Sequence, residues 1–497
     1  MQSSRIVLTQ LMLLAFCCEA AACAQQAAPA PRTVGPLSAC KVSGREGREI
    51  DGRCGTVEVW ENRATHTGRK LHLKVVVLPA LGPARQPDPI FFLAGGPGEA
   101  VSIEAGGFDS ALRKERDLVF VDQRGTGEPD RLDCELGRPG DLQSYLDEQF
   151  PLDDVRRCRA ALAKKFDLSL YTTAWGADDL DDARKWLGYD KINLWGGSYG
   201  TRMAQVYLRR HPEHVRAVVL DGSVPMDETL PISHAANGQR ALDLVLASCD
   251  KDAECHQAFP QARKELQQAL DQVGREPVRA TVQDPNTGRP IEIRLNRSTL
   301  ADGIRWLLYS PQTAAAIPLL AHEAARGNWA PLAQASVNAR TGILGLLANG
   351  LFFSVTCSED LPFIDPATIP QKTAGSFLGD DRVRAQAAAC NAWPHGTPEP
   401  NHRDPVRSDV PVLVVNGERD PVTPPDFGER AIRNFTNALH VVIPYGGHFG
   451  NGSCPDEIEE AFLRSGSVRG LDTSCVGKVQ PLPFLRELPK EGVNPFG

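Results

Sequence analysis

Short runs of apolar, largely β-branched residues recur along the chain, each closed by glycine or a polar turn. His72–Leu78, Ile90–Leu93, Leu118–Val121, Ile192–Trp195 and Val218–Leu220 come first; Val412–Val415 and His440–Ile443 follow after a long gap. They read as continuous apolar runs, the pattern of strands buried on both faces. Helix-like stretches lie between them. Ala177–Leu187 is amphipathic, with acids early and Arg184-Lys185 late, which suits the helix dipole. Strand alternating with helix predicts an α/β fold with a mostly parallel sheet flanked by helices.

The stretch from Pro225 to Asp404 has another character. Arg240–Ala247, Ala262–Val273 and Thr313–Ala325 are rich in Ala, Leu, Gln and Arg at helical spacing, and a strand-like patch covers Val278–Leu295. Strands of the core type resume after it. The expected organisation is a targeting segment over 1–24, a first core part over 25–224, a large, mostly helical cap inserted over 225–404, and a C-terminal core part over 405–497.

Composition adds exclusions. With 497 residues, 42% hydrophobic and 23% charged, the chain is long enough for a large core plus an insertion. A net charge of −8 gives no basic surface for nucleic acid or anionic membrane. Arg5, the apolar run Ile6–Phe16 and Ala22-Cys23-Ala24 form a secretory signal with its cleavage site. The run is too short to span a bilayer. Cys23 after Ala21-Ala22 leaves a lipoprotein anchor as the alternative to a periplasmic or extracellular protein. Ala27–Pro31 is a linker. Of 13 cysteines, Cys17, Cys18 and Cys23 lie in this leader or beside its cleavage site. An even number remains, which in an exported chain implies disulfides. No C-x-x-C occurs among them, against a zinc or redox site. Adjacency pairs Cys40 with Cys54, Cys134 with Cys158, Cys249 with Cys255, Cys357 with Cys390 and Cys454 with Cys475, although sequence alone cannot fix connectivity.

The chemistry is carried by Ile192-Asn193-Leu194-Trp195-Gly196-Gly197-Ser198-Tyr199-Gly200. An apolar strand runs into G-x-S-x-G and a helix-like run, Met203–Leu208, follows; this is the context of a nucleophile elbow. Ser198 is the candidate nucleophile. A serine hydroxyl needs a base. His448 stands in a glycine-rich loop directly after the last apolar strand, where this kind of fold carries its base. The base needs an orienting acid. Asp420 follows the strand Val412–Val415, with Glu418 as the alternative, and the order Ser198, Asp420, His448 is that of the fold. Acyl transfer also needs oxyanion donors. The loop Gly95-Gly96-Pro97-Gly98 after strand Phe91–Leu93 offers the N–H of Gly96, to pair with that of Tyr199.

These residues resemble a known group. Gly95-Gly96-Pro97-Gly98, Val121-Asp122-Gln123-Arg124-Gly125-Thr126-Gly127 and Gly196-Gly197-Ser198-Tyr199-Gly200 are similar to the prolyl and tripeptidyl aminopeptidases of the α/β-hydrolases. Gly417–Pro424, Gly447-His448-Phe449-Gly450 and the late Cys475 resemble a tripeptidyl-aminopeptidase-like C-terminal region. The resemblance implies a serine exopeptidase that takes short units from a free peptide N-terminus, with no metal or cofactor. It also implies a rival, a carboxylesterase or amidase with the same triad. An aminopeptidase must hold an ammonium group near Ser198, and a carboxylate is the fitting partner. Glu359 and Asp360, after the apolar run Leu351–Val355, and Glu99 in the glycine loop are the candidates. Oligomeric state is not legible.

Overall fold

The strands Ser38–Ser43 (β1), Glu49–Asn62 (β2), Thr67–Leu78 (β3), Ile90–Leu93 (β4), Leu118–Val121 (β5), Ile192–Gly197 (β6) and Val215–Asp221 (β7) precede a hairpin of Val278–Gln283 (β8) and Pro290–Leu295 (β9). Val412–Gly417 (β10) and Ala438–Ile443 (β11) complete the set. All but the hairpin join in one sheet, in the order β1-β2-β3-β5-β4-β6-β7-β10-β11. From β5 onward every neighbour pair is parallel, while β1, β2, β3 and β5 pair antiparallel. The computed structural model describes residues 37–43, 49–108 and 111–488. The targeting segment with Cys17, Cys18 and Cys23, and the linker Ala27–Pro31, lie outside the described residues.

The central runs are continuous in sequence because each face of the sheet is covered. Phe91, Leu93, Val119, Val121, Leu194, Val218 and Val414 pack on one side with helices Thr173–Leu187 and Tyr199–Arg210. Their strand neighbours Ile90, Phe92, Phe120, Val219 and Val415 pack on the other with helix Ser453–Ser465. The period-2 alternation of side chains thus divides one apolar run between two cores. β2 went unread because only its inner face is buried: Val57 and Val59 point in, while Thr56 and Glu58 are exposed. Its signal is alternation, not a run.

The chain leaves the sheet at Asp221 and returns at Val412. In between, helices such as His234–Lys251, Ala262–Arg275 and Arg297–Leu307 form their own apolar cluster with the β8–β9 hairpin. The helical reading of Thr313–Ala325 is corrected. Two helices, Pro311–Ala314 and Ile317–Ala325, stand there, because Pro318 fits only the first turn of a new helix. Helix Asn349–Glu359 behaves differently from the others. It is buried along its whole length, and Leu351, Phe353 and Val355 belong to the sheet's own core. Gly350 sits where a Cβ would stand 2.5 Å from Leu162 and 2.7 Å from the Leu132 carbonyl, so this helix lies close against the chain beneath it.

Disulfides join Cys40 to Cys54, Cys134 to Cys158, Cys249 to Cys255, Cys357 to Cys390 and Cys454 to Cys475. Each closes a short local loop, a constraint worth roughly 2–4 kcal/mol. Cys357–Cys390 fastens the buried helix to its neighbour Asp381–Asn391.

Candidate active site

β6 ends in the elbow. Ser198 has φ 53° and ψ −121°, a conformation that a side chain adopts only under constraint. Its N–H donates to the Asp221 carbonyl at the end of β7 (2.9 Å), and its own carbonyl accepts from Thr201 N–H (2.9 Å) and Thr201 Oγ1 (2.6 Å). The flanking glycines are required by contact. A Cβ on Gly196 would meet the Gly200 carbonyl oxygen at 2.4 Å, and one on Gly200 would meet the Leu93 carbonyl oxygen at 2.0 Å. Backbone therefore packs directly on backbone between the elbow and the end of β4.

That packing brings the glycine loop to Ser198. A Cβ on Gly95 would lie 3.3 Å from Ser198 Cβ and 3.1 Å from Glu99 Oε2. Gly96 is solvent-facing at φ +104°, and Gly98 at φ +119° accepts from the Ala348 N–H (2.9 Å). Tyr199 is the first residue of its helix, so its N–H has no intrahelical acceptor and lies at the positive end of the dipole. The phenol of Tyr199 points away to Thr173 Oγ1 at 2.8 Å.

His448 and Asp420 meet from two different loops. His448 Nδ1 is 2.7 Å from Asp420 Oδ2. Asp420 is fully buried, and its Oδ1 accepts the N–H groups of Val422 (2.7 Å) and Thr423 (2.8 Å). Thr423 Oγ1 donates to Asp420 Oδ2 at 2.6 Å and lies 3.0 Å from His448 Nδ1. Burial acts to raise the Asp420 pKa, yet the charge and hydrogen bonds of His448 and Thr423 outweigh it and hold the carboxyl below its ordinary value. Burial likewise acts to lower His448; Asp420, then Asp221 and Glu99, outweigh it and raise the imidazole. The ring stands over Gly222, where a Cβ would be 3.1 Å from His448 Cε1. Gly222 directly follows Asp221, whose carbonyl holds Ser198, so the imidazole and the elbow share one wall. Burial lifts Asp221 to about 7 against the pull of His448.

Glu418, the alternative acid, is used elsewhere: its Oε2 accepts from Tyr445 N–H at 2.8 Å. Two contributors were not foreseen. Thr423 lies inside the quoted Gly417–Pro424 stretch but carried no role there. Tyr309 comes from the 225–404 segment, and its carbonyl accepts both His448 N–H (2.7 Å) and Phe449 N–H (3.0 Å). Gly447 permits that approach, since a Cβ there would meet the Tyr309 oxygen at 2.4 Å.

The three candidate amine anchors are not equivalent. Asp360 pairs with Arg202 at 2.9 Å and accepts Leu230 N–H at 3.1 Å, both within the fold. Glu359 accepts the N–H and Oγ1 of Thr173, each at 2.6 Å, and burial lifts its pKa to about 7. Glu99 is half-buried, and its Oε2 accepts Gly95 N–H at 2.9 Å beside Ser198. Burial, offset in part by Gly95 and His448, leaves its pKa raised. The Asp122–Gly127 motif proves to be scaffold: Asp122 holds Ser102 at 2.8 and 2.9 Å, and Arg124 grips Asp179 with two bonds at 2.6 and 2.8 Å.

Residues 88–247 match the family model described as alpha/beta hydrolase fold, and residues 375–475 match that described as TAP-like protein. This chain is an α/β-hydrolase with a TAP-like C-terminal region. The hydrolase is 28% identical to "Serine protease Hip1" of Mycobacterium tuberculosis over 481 residues, 85% of this chain and 87% of that protein. It is 27% identical over 189 residues to the "Tripeptidyl aminopeptidase" of Streptomyces lividans, 35% of each chain. It is 30% identical over 137 residues to a "Proline iminopeptidase" of Neisseria meningitidis, 27% of this chain and 32% of that one. With serine proteases and aminopeptidases as relatives, the hydrolase is a serine hydrolase, as the motif resemblance implied.

Proposed function

We propose that this serine hydrolase is an exported exopeptidase that removes short units from the free N-terminus of peptides through an acyl-enzyme on Ser198. The observation that carries the reading is the buried Asp420–His448 contact of 2.7 Å beside the strained Ser198. In this mechanism His448 takes the proton of Ser198 Oγ as the oxygen attacks the peptide carbonyl. The N–H groups of Gly96 and Tyr199 hold the oxyanion. His448 then protonates the leaving amine, and later activates water to release the acyl group. Asp420 keeps the imidazole in its working tautomer, and Thr423 steadies both. The segment 225–404 acts as the cap, reaching His448 through Tyr309. Five disulfides support an oxidising compartment. No helix among the described residues is long and apolar enough to cross a membrane.

For the substrate ammonium group we favour Glu99. It is the candidate beside Ser198, whereas Asp360 is already neutralised by Arg202. Peptides with a free N-terminus are expected to be cleaved at least tenfold faster, in kcat/KM, than their N-acetylated forms. Glu99→Gln is expected to shrink that ratio, while p-nitrophenyl acetate turnover, which needs no amine contact, changes much less. Equal cleavage of free and acetylated peptides, read by mass spectrometry, would favour an endopeptidase or amidase; turnover of the ester alone would favour an esterase.

The reaction also sets a pH dependence. His448 works as a base only when neutral, and Asp420, Asp221 and Glu99 raise its pKa above 6.5. Activity is therefore lost as pH falls through that raised value, about tenfold per unit on the acid side. A pH profile of kcat/KM with its acid midpoint above 6.5 is expected; a midpoint well below it would contradict this electrostatic account.

A further inference from the structure

We propose that Arg382, with the polar cluster beside it, forms an anion subsite that receives a carboxylate of the peptide substrate; the proposal rests on the peptidase reading above. The cluster is built around one buried acid. Both oxygens of Asp302 are taken: Oδ1 by Arg305 Nε and Nη2 at 3.0 and 2.8 Å, Oδ2 by Arg340 Nη1 at 3.2 Å. Arg305 spends its remaining reach on Tyr309 Oη (2.6 Å), and Arg340 on the carbonyls of Tyr145 and Glu148. Two guanidinium groups thus share a single carboxylate, and a third, that of Arg382, feels its charge without an ion-pair contact. Arg382 is the one left over, with no acidic partner among the described residues.

Polar groups of the cluster are also unsatisfied. Arg382 Nε is buried without an acceptor, as is Nε1 of Trp306, whose ring lies 4.4 Å from the Arg305 guanidinium. The Gln386 amide, one helical turn on from Arg382, has its Oε1 unpartnered, and turned end for end it presents its NH2 as a donor. His234 is 8% exposed, and neither ring nitrogen has a partner. A buried donor without an acceptor is unfavourable, so these gathered donors suit an acceptor-only group such as a carboxylate. Burial, and then Arg305, push the Arg382 pKa down to about 10, the sign of a cation lacking its counter-ion. Burial, Arg305 and Arg382 keep His234 neutral, so it offers one N–H donor.

Position ties the cluster to the reaction. Tyr309, bonded to Arg305, holds the His448 N–H with its carbonyl, and its ring lies 5.0 Å from the imidazole. On its other side the Arg382 guanidinium lies 5.9 Å from the Phe352 ring. Phe352 belongs to helix Asn349–Glu359, and Ala348, the cap residue just before it, donates its N–H to the Gly98 carbonyl of the glycine loop. Arg382 is half-buried, so part of its side chain meets solvent. Its planar fork matches a carboxylate in two parallel bonds. A peptide supplies that group from its C-terminus or from an Asp or Glu side chain.

The test compares free-amine peptides in two series: C-terminal carboxylate against carboxamide, and Glu against Gln at successive positions. In the wild-type enzyme one series is expected to show at least a tenfold kcat/KM preference for the acid, and which series responds identifies the source. Arg382→Gln is expected to bring the ratio close to unity, and Arg382→Glu to reverse it. Cleavage by the wild type without preference in either series overturns the subsite, whether or not the variants fold. A preference that survives Arg382→Gln overturns it as well. Failure to cleave any peptide overturns the peptidase reading and the subsite together.

Discussion

Ser198→Ala is expected to lower kcat by roughly five to six orders of magnitude while the thermal midpoint stays close to that of the parent. The loss is large because nucleophile, base and acid act as a unit, and removing the attacking atom leaves only binding and oxyanion contacts. The fold is spared because Ser198 contributes its backbone to the elbow, through the Asp221 and Thr201 bonds. Alanine keeps all of these bonds and loses only the attacking hydroxyl. The strained φ of 53° is imposed by the close backbone contacts at Gly196 and Gly200, which the substitution leaves in place. Stopped assays on two peptides, with calorimetry alongside, check both halves. Activity within a hundredfold of the parent would remove Ser198 from the mechanism.

The second large effect is at the acid. Asp420→Asn is expected to reduce kcat by about three to four orders of magnitude, and Glu418→Gln by no more than a few-fold. Each Asp420 oxygen serves two donors: Oδ1 the N–H groups of Val422 and Thr423, Oδ2 the Thr423 hydroxyl and the imidazole. An amide there must turn its NH2 toward one of these pairs. Facing His448, it favours the tautomer that cannot accept the serine proton; facing the backbone, it breaks the turn. Glu418 meets the Tyr445 N–H instead, so its amide changes a loop contact only. Parallel kinetics of the two variants separate the assignments, and the reverse ranking would transfer the role to Glu418.

The parallel half of the sheet was legible because its strands are covered on both faces and read as unbroken apolar runs. β1 and β2 were not, because one exposed face turns the signal into alternation interrupted by Gly52 and Gly55. The α/β-hydrolase fold and its elbow followed from local order: strand, tight glycine turn, helix. Thr423 and Tyr309 escaped for different reasons. Thr423 was visible in the loop, but its double contact arises only when that loop folds back on His448. Tyr309 acts through its carbonyl, a group every residue has, so no side-chain pattern could single it out. Among the acids, sequence put Glu359 and Asp360 near the chemistry by their place after an apolar run. The structure shows Asp360 bound to Arg202 and Glu359 bound to Thr173, while Glu99 sits beside Ser198. Burial and pairing decide which carboxylate is free, and neither is written in local sequence. The Arg382 cluster is the same lesson for cations, since its surplus charge appears only when three arginines distant in sequence gather near one aspartate that pairs with two of them.

The central claim is that Ser198 is the activated nucleophile. Reaction with a fluorophosphonate, followed by intact-mass and peptide-mapping mass spectrometry, tests it most directly. The account predicts a single stoichiometric adduct on Ser198, formed more slowly as pH falls through the His448 pKa and lost in His448→Ala. An unmodified Ser198 in folded protein, or an adduct on another residue, would contradict it.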